Sequence, residues 1–299
     1  MPSKLKQAIS QKEFIATCEL APPKGSDVSE FLDHAGVLKS LVHAINITDG
    51  QGGNMRMSPV IASYLLERET GIESICQIVC RDKNRIGLQS DLLGAVALKL
   101  RNFLCLYGDK AEAGDHPNAK DVFDLTTDDL LKAFSNFSQG LDFAENKLNE
   151  SVKDLCIGAA AHPGVDDLAS QSEKMQKRVE NGVQFFQTQI VYESDQLKRF
   201  LDSIRGKVHA PVLIGITPLK SVKMANYMNE KVYGVTVPKP LIERLEKSSE
   251  PQKEGIKIAL ELVQQVKELG GDGIHLMAIG QEKELPTLLS QISMSQKAG

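Results

Sequence analysis

Residues 185–216 read FFQTQIVYESDQLKRFLDSIRGKVHAPVLIGI and hold one complete strand–helix–strand unit. The apolar runs 185–191 and 212–216 are short and bounded by polar residues or proline, as buried parallel strands are. Between them Leu197, Phe200, Leu201 and Ile204 share one helical face, and Ser194 stands where an N-cap is expected.

Six further runs of the same kind lie outward from this unit, at residues 14–20, 44–48, 74–80, 103–107, 155–160 and 273–279. Helical stripes separate them. Val28, Phe31, Leu32, Ala35 and Leu38 form one, and Leu92, Val96 and Leu100 another. Ile256, Ala259, Leu260, Val263 and Val266 form a third, stopped by Gly270-Gly271. A last helix is expected over residues 282–293. Eight strand–helix alternations predict an α/β fold, a closed (β/α)8 TIM barrel, with residues 1–299 as a single catalytic domain. The rival is an open doubly wound sheet, which favours GxGxxG after an early strand; the chain has only GQGG at 50–53. Residues 110–153 and 218–272, before strands five and eight, are long enough to carry extra helices or a flap.

Composition narrows the function classes. The chain has 299 residues, 41% hydrophobic and 25% charged, with net charge −4 and no block of Lys/Arg. That disfavours a surface tracking nucleic-acid phosphates. Apolar runs such as 212–214 fall far short of the roughly 20 residues that span a bilayer. No apolar run follows the basic residues of the first dozen positions, so no secretory signal is expected. Cys18, Cys76, Cys80, Cys105 and Cys156 lack CxxC spacing and each sits in an apolar stretch. They are expected to be buried thiols of a cytoplasmic protein. Cys76 and Cys80 share a strand face, but nothing nearby supports a redox pair.

A barrel places its chemistry at the C-terminal strand ends. Strand one ends Cys18-Glu19-Leu20-Ala21-Pro22-Pro23, which puts a carboxylate in an apolar setting. Strand two ends Thr48-Asp49-Gly50, strand four Gly108-Asp109, and strand five runs to His162-Pro163. Strand six carries Thr188-Gln189 within FFQTQIV. Polar groups in such surroundings cost free energy unless paired. Each also has a plainer reading: Glu19 bonded to loop amides, Asp109 capping the next helix, Gln189 bonding backbone, His162 satisfied in a loop, His275 in the core. No HExxH or clustered His/Asp set suggests a metal, and no GxSxG elbow suggests a hydrolase.

Glu19-Leu20-Ala21-Pro22-Pro23, residues 80–85 (CRDKNR), Leu106-Tyr107-Gly108-Asp109, His162-Pro163 and residues 182–189 (GVQFFQTQ) occur in the order seen in methylenetetrahydrofolate reductases. Gly215-Ile216-Thr217-Pro218 and residues 271–275 (GDGIH) resemble that family's last two strands. The resemblance covers nearly the whole chain. It implies a (β/α)8 barrel with noncovalent flavin, FAD by default and FMN as the alternative. By the same resemblance, hydride would pass from flavin N5 to 5,10-methylenetetrahydrofolate and give 5-methyltetrahydrofolate. Glu19 matches the family's acid, which protonates N10 and so opens the ring; an apolar pocket would favour its protonated form. Asp109 matches an acid near flavin and pterin, and Gln189 the amide that bonds the pterin. Thr48, Gly108 and His162 fall at flavin contacts. Arg178, more than Lys177, is placed to approach a flavin phosphate.

The chain also departs from the family. Gln77 replaces a histidine, Tyr107 replaces the arginine of LRGD, and Gly158-Ala159-Ala160-Ala161 replaces an aromatic-and-proline run. Leu276-Met277-Ala278-Ile279-Gly280-Gln281 replaces the usual Tyr-Thr-Leu-Asn-Arg ending. Val222 falls where nicotinamide-using members offer an aromatic ring. These changes favour an electron-donating protein subunit, iron–sulfur or ferredoxin-linked, over free NAD(P)H, and membership of an oligomer or complex. Two other functions stay open. One is a folate-linked methyltransferase barrel without flavin, and the other an electron-relay subunit of a larger redox complex.

Overall fold

Eight parallel strands pair in sequence order, each with the next and the last with the first, closing the sheet into a barrel. The computed structural model describes residues 2–278 and 280–297. The strands are β1 Ile15–Leu20, β2 Ala44–Ile47, β3 Ser74–Val79, β4 Asn102–Leu106, β5 Cys156–Ala161, β6 Phe185–Ile190, β7 Val212–Ile216 and β8 Gly273–Leu276. Each expected strand is present within a residue or so, except that β8 stops at Leu276; Ile279, its expected end, lies outside the described residues.

The helices are α1 Lys4–Gln11, α2 Ser29–Gly36, α3 Pro59–Thr70, α4 Arg85–Ala97, α5 Thr127–Ser138, α6 Leu168–Glu180, α7 Ser194–Ile204, α8 Val222–Lys231, α9 Lys239–Lys247, α10 Pro251–Glu268 and α11 Leu285–Lys297. The long segment before β5 carries α5, and the one before β8 carries α8, α9 and α10. Ser194 is not a cap: it is the first residue of α7, Glu193 precedes it, and no side chain bonds that helix start. Gly270, with φ of 75°, does follow the end of α10.

Alternation along the strands divides the core. Outward residues such as Cys18, Ile45, Phe103, Phe186 and Ile214 pack against the helices, and all five cysteines are free, buried thiols. Inward residues Ile15, Ala44, Ile75, Leu104, Cys156, Phe185 and Leu213 form an apolar floor, sealed by Leu5 and Ala8 of α1. Phe185 lies so close to Gly158 that any Cβ there would collide with its ring. The glycine thus admits a full phenyl group into a narrow barrel.

Glu73, just before β3, fixes α1 to this floor. Its carboxylate accepts the first free amides of the helix, from Lys4 at 2.6 Å and Leu5 at 3.1 Å. A negative group suits a helix N-terminus, where unpaired N–H groups and the helix dipole converge. Glu73→Ala is expected to lower stability by about 1–2 kcal/mol, read from urea unfolding. An unchanged midpoint would mean that apolar contacts alone hold α1.

Candidate active site

A cleft of about 440 Å³ opens at the C-terminal mouth of the barrel. Glu19, Gly108, Asp109, His162, Arg178 and Gln189 all line it. Thr48 is not among the lining residues. Its side chain is buried and its hydroxyl has no hydrogen-bond partner among the described residues.

The setting of Glu19 differs from the apolar pocket expected. Its Oε1 accepts from the Gln51 side-chain amide at 3.0 Å, and its Oε2 lies 3.7 Å from His275 Nε2. A layer of inward polar side chains lies behind the pair. Thr17 Oγ1 is 3.0 Å from His275 Nδ1 and accepts from Gln187 Nε2 at 3.1 Å. Gln187 and Asn46 exchange two amide bonds, of 2.6 and 3.0 Å. Thr17, Asn46, Gln187 and His275 are buried at 3% exposure or less, so these bonds replace water. With Thr17 donating to Nδ1, the imidazole presents an Nε2–H to Glu19. With the hydroxyl turned to the Ile274 carbonyl, 3.3 Å away, Nε2 presents a lone pair instead. The first tautomer turns a hydrogen-bond donor toward Glu19 and the second an acceptor, with 3.7 Å between the two groups.

Gln189 reaches the cleft through an irregularity, because the β6–β7 pairing slips between Gln187 and Ile190. Thr188 fills the gap, accepting from Gly215 N–H and donating to the Gln189 carbonyl, both at 2.8 Å. Gln189 Oε1 accepts the Ile190 amide at 3.0 Å, which leaves its NH₂ for a ligand. Asp109 is exposed at the rim, and it does not cap a helix. Thr126 and Asp129 cap α5 reciprocally. Gly108, with φ of 94°, brings the chain so close to Val79 that a Cβ would sit 3.0 Å from that side chain.

Arg178 is buried, donating from Nε to Asp128 at 2.6 Å and from Nη1 to the Ala160 carbonyl at 3.2 Å. Lys174, one turn earlier, and Gln171 line the same wall, whereas Lys177 does not. The 171/174/178 spacing marks one helical face and is the signal by which Lys174 could have been found. Desolvation, then the Arg178 and Lys174 charges, lowers the His162 pKa. That corner suits an anionic group.

Arg81 holds the rim together. It is buried, forms a two-pronged bond with Asp82, and donates to the carbonyls of Gly50 and Asp109 at 3.2 and 3.1 Å. Tyr107 stacks on Phe123 with centroids 4.4 Å apart and is the only Phe or Tyr among the described residues lining the cleft. Val222 opens α8 and does not line it. Among the described residues no cluster of metal-binding side chains occurs, and no helix is long and apolar enough to cross a membrane.

The sequence profile of the methylenetetrahydrofolate reductase family matches residues 4–293. Methylenetetrahydrofolate reductase 2 of Schizosaccharomyces pombe is 24% identical over 275 residues, covering 84% of this chain and 41% of its own length. Methylenetetrahydrofolate reductase (NADH) 1 of Arabidopsis thaliana is 22% identical, covering 97% and 50% respectively. The chain thus spans half the length of these curated relatives or less. Among solved structures, a Clostridium thermocellum protein that binds two copies of 5-methyl-5,6,7,8-tetrahydrofolic acid superposes with a TM-score of 0.64 at 18% identity, covering 97% of this chain and 99% of its own. DmoA of Hyphomicrobium sulfonivorans superposes at 0.56 with 9% identity, covering 95% and 88%.

Proposed function

Because this chain belongs to the methylenetetrahydrofolate reductase family, we propose that its cleft reduces 5,10-methylenetetrahydrofolate to 5-methyltetrahydrofolate with the help of a bound flavin. One observation carries the reading: Glu19, Asp109 and Gln189, from three different strand ends, line the same cleft. The folate that the Clostridium thermocellum protein binds is of the class proposed here as product.

The residues present fit a flavin. The cleft has the size of a cofactor site, Gly108 lets backbone approach, and Lys174, Arg178 and His162 form a corner suited to phosphate. When bound, that cofactor supplies the hydride for the one-carbon unit. Glu19 gives its proton to N10 of the folate, which makes the nitrogen a better leaving group and opens the five-membered ring. His275, 3.7 Å away on the buried side, helps fix the orientation of the Glu19 carboxyl. The Gln189 NH₂ holds an acceptor edge of the pterin, and Asp109 accepts from the ring's donors. FAD is the proposed form and FMN the alternative.

The test is anaerobic. Protein reconstituted with FAD or FMN and reduced chemically should reoxidise on mixing with 5,10-methylenetetrahydrofolate and form 5-methyltetrahydrofolate. A protein that binds neither flavin would move the reading to a folate-linked methyltransferase. Free NADH and NADPH should reduce it slowly, because Tyr107, the only Phe or Tyr among the described residues lining the cleft, lies on β4's side of it. The proposed donor is a protein subunit carrying an iron–sulfur or ferredoxin-type centre. Bleaching by micromolar NADH at the turnover rate would remove the need for one.

A further inference from the structure

One carboxyl at the site has no part in the chemistry above. Asp49 follows β2 and lines both the main cleft and a second cavity of about 410 Å³ that adjoins it. Its Oδ2 accepts the Val79 amide at 3.0 Å, while no described residue bonds Oδ1. The segment cannot turn Oδ1 away easily. Gly50, Gly52 and Gly53 all have positive φ, and Arg81 holds the Gly50 carbonyl. Two residues on, Gln51 is tied to Glu19. Asp49 is thus a fixed carboxyl with one oxygen spoken for and the other open to whatever occupies the cleft.

We propose that Asp49 is a ligand-selecting residue of this site, binding as a neutral acid and donating its proton from Oδ1 to a carbonyl or ring-nitrogen acceptor of a bound pteridine ring. The inference rests on the function proposed above. Pteridine chemistry has two sources here, because the flavin ring system and the folate pterin share the same N–C=O edges. A protonated carboxyl suits such an edge, since a carboxylate would set its charge against the ring's own acceptors.

The surroundings shift Asp49 toward the neutral acid, which dominates below about pH 6. Burial raises the Asp49 pKa to about 6, outweighing the Val79 hydrogen bond and the Lys83 and Arg81 charges that lower it; Asp82 raises it further. The other charged or titratable groups around it include Glu19 from β1, the buried Cys76 thiol from β3, Asp109 beyond β4, and Arg56 and His116 across the second cavity. Arg81 is engaged by Asp82, and Lys83 pairs with Asp91, so neither is free to neutralise an ionised Asp49 alone. A carboxyl with its pKa raised on folding contributes stability below about pH 4 that is lost as pH rises through about 6. A bound acceptor would hold the proton to higher pH.

Binding against pH tests this, with separate arms for the two sources. FMN and 5-methyltetrahydrofolate are titrated into the purified protein between pH 5 and 8, by flavin fluorescence and calorimetry respectively. In the wild type, affinity for the ring that Asp49 holds should fall by about tenfold per pH unit above its titration. Asp49→Asn keeps an oxygen for Val79 N–H and offers an NH₂ at every pH. It should retain low-pH affinity and lose the slope, for one ligand and not the other. A slope unchanged in Asp49→Asn, a flat wild-type profile, or a variant that melts normally yet binds neither ring at any pH would overturn the proposal. If the wild type binds neither ring at all, the proposed function falls and this inference with it. If it binds both and the variant's slope persists, only the inference falls.

Discussion

Glu19→Gln should leave flavin binding and its reduction by an artificial donor intact while slowing folate-dependent reoxidation by about 10²–10⁴-fold, the usual contribution of a positioned acid. The substitution is nearly isosteric, and a glutamine oxygen can still accept from Gln51, so the rim should keep its shape. The amide cannot protonate N10, and the ring must then open unaided. Stopped-flow absorbance under anaerobic conditions separates the two half-reactions. A wild-type reoxidation rate would remove Glu19 from the acid role and leave His275, 3.7 Å away, as the next group to examine.

Gln187→Leu should cost roughly 2–5 kcal/mol of stability, the second large effect. Leucine fills similar space, but it strands both the amide nitrogen and the oxygen of Asn46 and takes a donor from Thr17. Buried polar atoms without partners lose their hydration and receive nothing back. Pairing the change with Asn46→Leu should recover part of the loss, because the stranded groups are then gone. Urea unfolding of both single variants and the double one gives the coupling. A loss under about 0.5 kcal/mol for Gln187→Leu would show that water satisfies Asn46.

The strands were legible in the sequence because each is a short apolar run with a polar or glycine boundary. Gly270-Gly271 likewise marks the end of α10. Glu19, Asp109 and Gln189 were legible as polar residues at strand ends, and the structure brings them to one cleft. The layer behind Glu19 was not legible. Thr17, Asn46, Gln187 and His275 lie on four different strands, with nothing local in the sequence to link them. Only the closed barrel, where Thr17 sits opposite His275, makes them neighbours. Asp109 looked like a cap because a helix usually follows a strand closely. Here 20 residues separate β4 from α5, and the cap is Thr126. Thr48 fell at the right strand end, but its side chain is buried away from the cleft lining.

Sealing the floor with α1 has a consequence for synthesis. The helix is made well before its partners: Lys6 bonds the Leu155 carbonyl, 149 positions later, and Leu5 packs on strands as late as β7. Its neighbour β1 waits longer still, since one of its edges pairs with β8 at Gly273. At ribosomal rates of ~5–20 residues per second, that edge stays open for roughly 13–50 s after it emerges. Throughout that interval the nascent chain presents the unpaired edge of a mostly apolar strand, IATCEL, to chaperones and to other nascent chains alike. The amphipathic helix just upstream, whose Leu5 and Ala8 share a core cluster with Ile15, can shield part of it until the last strand arrives.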